Sequence, residues 1–381
     1  MSMPAYRALT WDHPRGYNAL AAAARTMAPM HGLSIVWDKQ PLEGFESAPI
    51  EELFARYDLV VLDHPHIGAA VAAGCLQPLD GLFDSAALGA IARRTIGRSF
   101  ASYGYVGRQW ALPLDAATQV LAWRPDLMSA PPRTWDAVEE AADWLGLALS
   151  IAGPHAILAI LSVAVALSPS PASWGEDCFV DERSGIRAVE LLTRLMARAR
   201  PTLLPANPIG ILEHMARHDD VAFCPLIFGY VTYGRPAAGR HAIAFAEAPR
   251  AALNSHPGST LGGTGIGIST RAKVTPQLLA HLDWLMGEST QAGFISAHDG
   301  QPSARSAWTS DSINAHWNGF YRNTSATMDA AIVRPRFAGY IAFQEWASAF
   351  LRSAIAGGIP APDIVAEINT RYHAARGNLQ P

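Results

Sequence analysis

Short apolar runs alternate with stretches of helical period through the first hundred residues. Residues 6–10 and 33–37 read as strands, and 58–62 as a third, continuously apolar strand of the kind covered on both faces of a parallel sheet. Between them lie an Ala-rich helical stretch over 17–30 and a short helix over 50–55, and a further helix follows to Ala73. This alternation predicts an α/β fold with a parallel sheet. In such sheets ligands bind beyond the carboxyl ends of the strands. Two polar turns fall there: Trp11-Asp12-His13-Pro14-Arg15-Gly16, leading into Tyr17, and Asp63-His64-Pro65-His66.

The alternation begins afresh between about residues 115 and 245, which predicts a second α/β lobe. Residues 110–114 read as extended and 119–123 as a separate strand. Thr134 reads as the N-cap of a helix, and helices follow over 186–199 and 209–217. Residues 220–227 and 241–248 read as strands, with the turn Phe228-Gly229-Tyr230 between them. The segment Gly262-Gly263-Thr264-Gly265 leads into a strand over 266–269, then a helix over 276–286. The clearest later helices are 337–355 and 362–375. Residues 145–167 are nearly free of charge, but Gly153-Pro154-His155 interrupts them. They read as a buried strand over 147–151 and a buried helix over 154–167 rather than a membrane span.

Composition narrows the function classes. Half of the 381 residues are hydrophobic and 16% are charged, which is a globular balance. The net charge is −4 and no Lys/Arg block occurs, so neither a nucleic-acid footprint nor a polybasic membrane patch is present in the sequence. The cysteines, Cys75, Cys178 and Cys224, are far apart and form no C-x-x-C pair, so they read as small buried hydrophobes. Met1 to Leu9 lacks the apolar core of a secretory signal. That predicts a cytoplasmic chain, or a periplasmic one whose signal has been removed.

The chemistry-bearing motifs are mostly negative. The glycines at 263, 265 and 267 do not make G-x-G-x-x-G, and the stretch precedes a strand rather than a helix. No nucleophile elbow occurs, and His214 and His218 lack the H-E-x-x-H pattern. No metal site and no cofactor is expected. His13, His64 and His66 share the strand-end turns with Asp12 and Asp63, and Asp115 reads as another strand-end carboxylate. Trp11, Tyr17, Trp174, Tyr230, Tyr233, Trp308, Trp317 and Tyr321 lie in or beside turns, where a flat face with a polar tip suits a sugar or a cation.

The order of several segments resembles family 1 extracellular solute-binding proteins of ABC importers. The resemblance is carried by Tyr57-Asp58-Leu59-Val60-Val61-Leu62-Asp63 and Ala73-Gly74-Cys75-Leu76-Gln77-Pro78-Leu79-Asp80. It continues in Ala111-Leu112-Pro113-Leu114-Asp115 before Val120-Leu121-Ala122-Trp123-Arg124-Pro125-Asp126-Leu127, in Pro132-Arg133-Thr134-Trp135-Asp136, in Gly262 to Ser269, and in Gly300-Gln301-Pro302-Ser303-Ala304-Arg305. It implies a two-lobed, periplasmic-binding-protein-like (type 2) Venus-flytrap, each lobe a mainly parallel sheet flanked by helices. Lobe one would hold residues 1–113 and 250–300, and lobe two 114–249 and 301–381, with the ligand cleft between them.

Carried over by position, ligand contacts would come from Trp11, Asp12, His13, Asp63, His64, His66, Asp115, Trp174, Gly229, Tyr230, Gly262, Gly263 and Thr264; the turn chemistry adds Arg15 and Tyr17. The implied partners are a small-molecule ligand and an importer's membrane subunits, with the chain a monomer. The expected function is binding of a small polar solute without turnover. The alternative is a hydrolase or lyase using the strand-end Asp and His residues. Because His13, Arg15, His64 and His66 converge on lobe one's strand ends, the ligand is expected to carry an anionic group, unless neighbouring carboxylates neutralise those cations.

Overall fold

A computed structural model describes residues 3–168 and 178–377. Strand β1 (Ala5–Trp11) pairs in parallel with β2 (Ser34–Gln40) on one side and β3 (Leu59–Leu62) on the other. All four β3 residues are buried, as the unbroken apolar run requires. The helix Pro14–Met30 connects β1 to β2, with proline in its first turn and the His13 side chain accepting from the Arg15 backbone N–H as its N-cap.

The rest of the sheet departs from the expected parallel order. After a two-residue-strand hairpin, β4 (Gly104–Tyr105) and β5 (Arg108–Gln109), comes a single thirteen-residue strand, β6 (Ala111–Trp123). Its first part pairs antiparallel with β9 (Leu261–Ile268), which in turn pairs antiparallel with β3. Its second part pairs antiparallel with β7 (Phe223–Phe228) and β8 (Ala244–Ala246). The resulting order is β2-β1-β3-β9-β6-β7, with β8 also on β6. The architecture is therefore α/β and two-lobed, but the sheet is mixed, and β6 belongs to both lobes. Residues 110–114 and 119–123, read as separate segments, are one strand because the polar interruption at Asp115 is buried by a partner from elsewhere in the chain.

Three apolar clusters pack around this junction. One gathers β1, β3 and β9 with the helix Pro276–Met286 and runs on to β7 and β8, and a smaller one lies between β3 and the helix Ile50–Arg56. The third gathers the helices His155–Leu167, Glu182–Met196, Tyr340–Ala356 and Ala361–Gly377, which pack on one another around Leu161, Leu192, Phe343 and Tyr372. The apolar segment before them forms no strand; Leu147 makes only single bridges to Ala199 and Phe223. Helix His155–Leu167 is buried on nearly every face, which explains its uniform apolarity. Among the described residues no helix is long and apolar enough to cross a membrane. Burial raises the Cys75 and Cys224 thiols to about 11 and about 12.

Candidate functional site

The β1 and β3 carboxyl ends meet the crossing strands at a narrow cleft. Of the residues expected to contact ligand, Trp11, Arg15, Asp63, Tyr230, Gly262, Gly263 and Thr264 line it. Its remaining walls come from residues the sequence reading did not select: Leu42, Phe45 and Glu46 of the six-residue helix Leu42–Ser47, with Ala117, His155, Pro208 and Phe228. Side chains fill most of the space, leaving a volume of about 50 Å³. Small-molecule sites run to roughly 300–1,000 Å³, so a ligand enters only if side chains swing or the walls part.

Arg15 lies at the centre. Its Nε donates to Asp115 Oδ2 at 2.8 Å, its Nη2 to Asp115 Oδ1 at 2.5 Å, and its Nη1 to the Gly229 carbonyl at 3.0 Å. Both side chains are buried, and the guanidinium sits 4.9 Å from the Tyr230 ring centre. Burial pushes the Asp115 carboxyl up, while the Arg15 charge beside it pulls it down. Burial also opposes the Arg15 charge, but Asp115 outweighs it and raises the Arg15 pKa. The two-pronged geometry favours the ionised pair. Asp115 is not at a strand end: it sits within β6, where the register with β9 shifts between Pro113 and Asp115. Gly263, paired with the next residue Ala116, has φ +92, and a Cβ there would fall 2.4 Å from the Asp115 carbonyl oxygen. Only glycine suits that backbone.

Asp63 has its own cation. Arg334, a buried residue with no sequence signal beyond an isolated Arg between Val333 and Pro335, donates through Nη2 to Asp63 Oδ2. Asp63 Oδ1 accepts from the His64 backbone N–H at 2.8 Å. Burial alone would raise the Asp63 pKa; Arg334 and the His64 hydrogen bond hold it far below the usual carboxylate range.

The predicted histidine cluster is not a cationic wall. His64 is fully buried, and its Nε2 accepts from the Arg334 backbone N–H at 3.2 Å. Its Nδ1 lies 3.1 Å from Asp63 Oδ1 but makes no hydrogen bond. Burial, then the Arg334 charge, lowers its pKa to about 4. His13 is stacked on Trp11 with ring centres 5.2 Å apart, and burial, then Arg15 and Arg240, lowers its pKa to about 3. His66 faces the Glu46 carbonyl at 3.2 Å, and burial lowers its pKa also. All three rings are neutral near pH 7.

Other expected contacts lie elsewhere. Asp12 is out in solvent, bound to Lys39 Nζ at 2.7 Å, and Tyr17 sits under the same ammonium. Neither lines the cleft, because the helix starting at Pro14 turns them away. Tyr233, Trp308, Trp317 and Tyr321 are buried in the core. Trp174 lies outside the described residues.

One cleft residue is chemically unspent. His155 is 1% exposed, and neither ring nitrogen has a hydrogen-bond partner. Its Nε2 lies 3.2 Å from Glu46 Oε1, within ion-pair reach but outside hydrogen-bond geometry. The break at Gly153-Pro154 was its only sequence signal, since it starts the helix that aims His155 into the cleft.

A mixed sheet, the long strand β6 shared across two lobes and a polar cleft at the crossing define the class as a two-lobed solute-binding fold. Residues 51–200 match the family model of bacterial extracellular solute-binding protein. No curated protein matches the chain. Solved structures with the same fold include an ABC transporter solute-binding protein from Agrobacterium radiobacter K84 in complex with ribitol. It is 20% identical, with a TM-score of 0.78 over 97% of this chain and 98% of that one. One from Thermotoga lettingae TMO bound with alpha-D-tagatose is 14% identical, with a TM-score of 0.78 over 98% and 99%. One from Agrobacterium vitis S4 with D-mannitol is 14% identical, with a TM-score of 0.76 over 98% and 99%. Over residues 51–200 the chain thus carries the sequence pattern of the bacterial extracellular solute-binding proteins, and over nearly its whole length it has their fold.

Proposed function

We propose that the protein binds a small, neutral, polyhydroxylated solute in this cleft and releases it unchanged. The observation that carries this reading is that the charged arginine and aspartate lining the cleft are both already paired: Arg15 with Asp115, and Asp63 with Arg334. An anionic ligand would have to displace one of those carboxylates. A polyol needs only hydroxyl partners, and His155, Glu46 and Thr264 offer both donors and acceptors. Trp11 is covered by His13 on one face and edged by Tyr230, which leaves little room to stack a large sugar. Ribitol, mannitol and tagatose, the ligands of the similar structures, are the first candidates.

A hydrolase or lyase is less well supported. Asp63 and Asp115 are each held by an arginine, and Asp12 faces solvent, so these three do not form a free carboxylate pair. For the lobe boundaries at about 113, 250 and 300, the packing of Tyr340–Ala356 and Ala361–Gly377 around the His155–Leu167 layer supports giving those two helices to lobe two. By the same reading the partner is an importer's membrane pair. A thermal-shift panel of polyols, monosaccharides and organic acids tests the ligand class: a neutral polyol or ketose should raise Tm, and an effect confined to acids overturns the reading.

A further inference from the structure

A second groove lies in lobe one, away from the cleft. It runs between the helix Ser85–Arg94 and the β4–β5 hairpin and measures about 600 Å³. Phe83, Leu88, Phe100 and Tyr105 give it a mainly apolar lining. The hairpin tip is Val106-Gly107, with φ of 49° and 72°. Two-residue turns of that shape favour Asn-Gly, and a β-branched residue there is strained. The strain holds the Val106 side chain, 74% exposed, at the edge of the groove.

The charge in this groove is one-sided. Arg336 is half-buried in its wall, with Nη1 donating to the Ala101 and Ser102 carbonyls at 2.9 and 3.0 Å. Burial lowers its pKa, as expected for a guanidinium without a counter-ion. Arg108 also lines the groove, and Arg93 reaches over it beside Gly89. Among the described residues none of these three arginines makes an ion pair; Arg93 and Arg108 are exposed, whereas Arg336 is a half-buried charge of the kind usually paired. The single acidic lining residue, Asp80, accepts a hydrogen bond from the Gln109 backbone at 2.9 Å.

We propose that this lobe-one groove is a second binding site, for a small carboxylate with an aromatic or branched apolar body. The carboxylate would sit on the free edge of the Arg336 guanidinium, and the apolar body against Phe83, Phe100 and Tyr105. The groove is independent of the interlobe cleft, so occupancy of one does not require the other.

Fluorine NMR of para-fluorophenylacetate with the intact protein tests this. Saturable binding with a dissociation constant of about 1 mM or tighter is expected, with the corresponding amide at least roughly tenfold weaker. Arg336→Gln should weaken the acid at least tenfold. Because Arg336 also anchors its own segment, Ala92→Trp provides a second variant: it fills the groove from the half-buried face of the helix without removing a hydrogen bond, and should abolish binding at unchanged Tm. Excess ribitol should leave the acid bound. Equal binding of acid and amide, binding that survives Ala92→Trp, displacement by ribitol, or no saturation up to roughly 10 mM each overturns the proposal.

Discussion

Arg15 and Asp115 stand a hundred positions apart in the chain and meet as a two-pronged ion pair, Nε to Oδ2 at 2.8 Å, at the junction of the two lobes. Through Gly229 the same guanidinium also reaches β7's exit, so one side chain ties together β1's end, the crossing strand and the second lobe. Removing one partner leaves the other charge buried. Asp115→Asn is expected to cost about 3–5 kcal/mol. Arg15→Met combined with Asp115→Leu should recover most of that loss, which thermal or urea unfolding will measure.

Acidification should destabilise the protein in a defined window. His13 and His64 have native pKa values near 3 and 4, below their ordinary value near 6.5. The unfolded chain therefore binds protons first as pH falls. The stability from these groups is complete above about pH 6.5 and is lost progressively down to about pH 4 for His64 and about pH 3 for His13, on the order of a few kcal/mol. Asp63, whose native pKa is depressed, adds its loss only below the ordinary carboxylate range near 4. Tm should be flat from pH 7 to 8 and fall steadily below 6.5; His64→Gln should shrink that fall.

Ligand affinity should behave differently. With His13, His64 and His66 already neutral, affinity for a neutral polyol is expected to stay within about twofold from pH 6 to 8. Calorimetry across that range checks it. A steep rise on acidification would restore the cationic cleft that the histidine-rich turns suggested.

Gly263→Ala should be among the most damaging single changes. The left-handed backbone and the 2.4 Å approach to Asp115's carbonyl both act against a Cβ. A loss of about 2 kcal/mol or more is expected, with reduced ligand affinity because β9 would shift against β6. The Tm shift and the calorimetric constant together separate the two effects.

His155→Ala and Glu46→Gln should weaken polyol binding at least tenfold, about 1.4 kcal/mol or more, with little change in Tm. Neither side chain is committed to a hydrogen bond that holds the cleft closed.

Much of the fold was legible because the apolar run at 59–62 and the periodic helices carry their own signal. The cleft was half legible. Trp11, Asp63, Tyr230 and the Gly262–Thr264 segment stand at strand ends or crossings, and local pattern finds such places. What failed was pairing. That Asp115 lies inside a strand, and that Arg334 belongs to Asp63, depend on contacts a hundred and more positions apart. The histidine-rich turns suggested a positive cleft because residue type reveals the chance of charge, whereas burial and neighbouring arginines decide it. The helix Leu42–Ser47, which supplies Leu42, Phe45 and Glu46 to the cleft, was not read, and its N-cap, Pro41, offers no side-chain capping signal.

The most direct test of the central claim is calorimetric titration with ribitol, D-mannitol and tagatose, followed by recovery and mass analysis of the ligand. The account predicts that at least one binds with one-to-one stoichiometry, is recovered unchanged, and binds at least tenfold weaker to His155→Ala. Binding of none of them alongside tight, saturable binding of an organic acid in the cleft, or steady conversion of the bound solute, would contradict it.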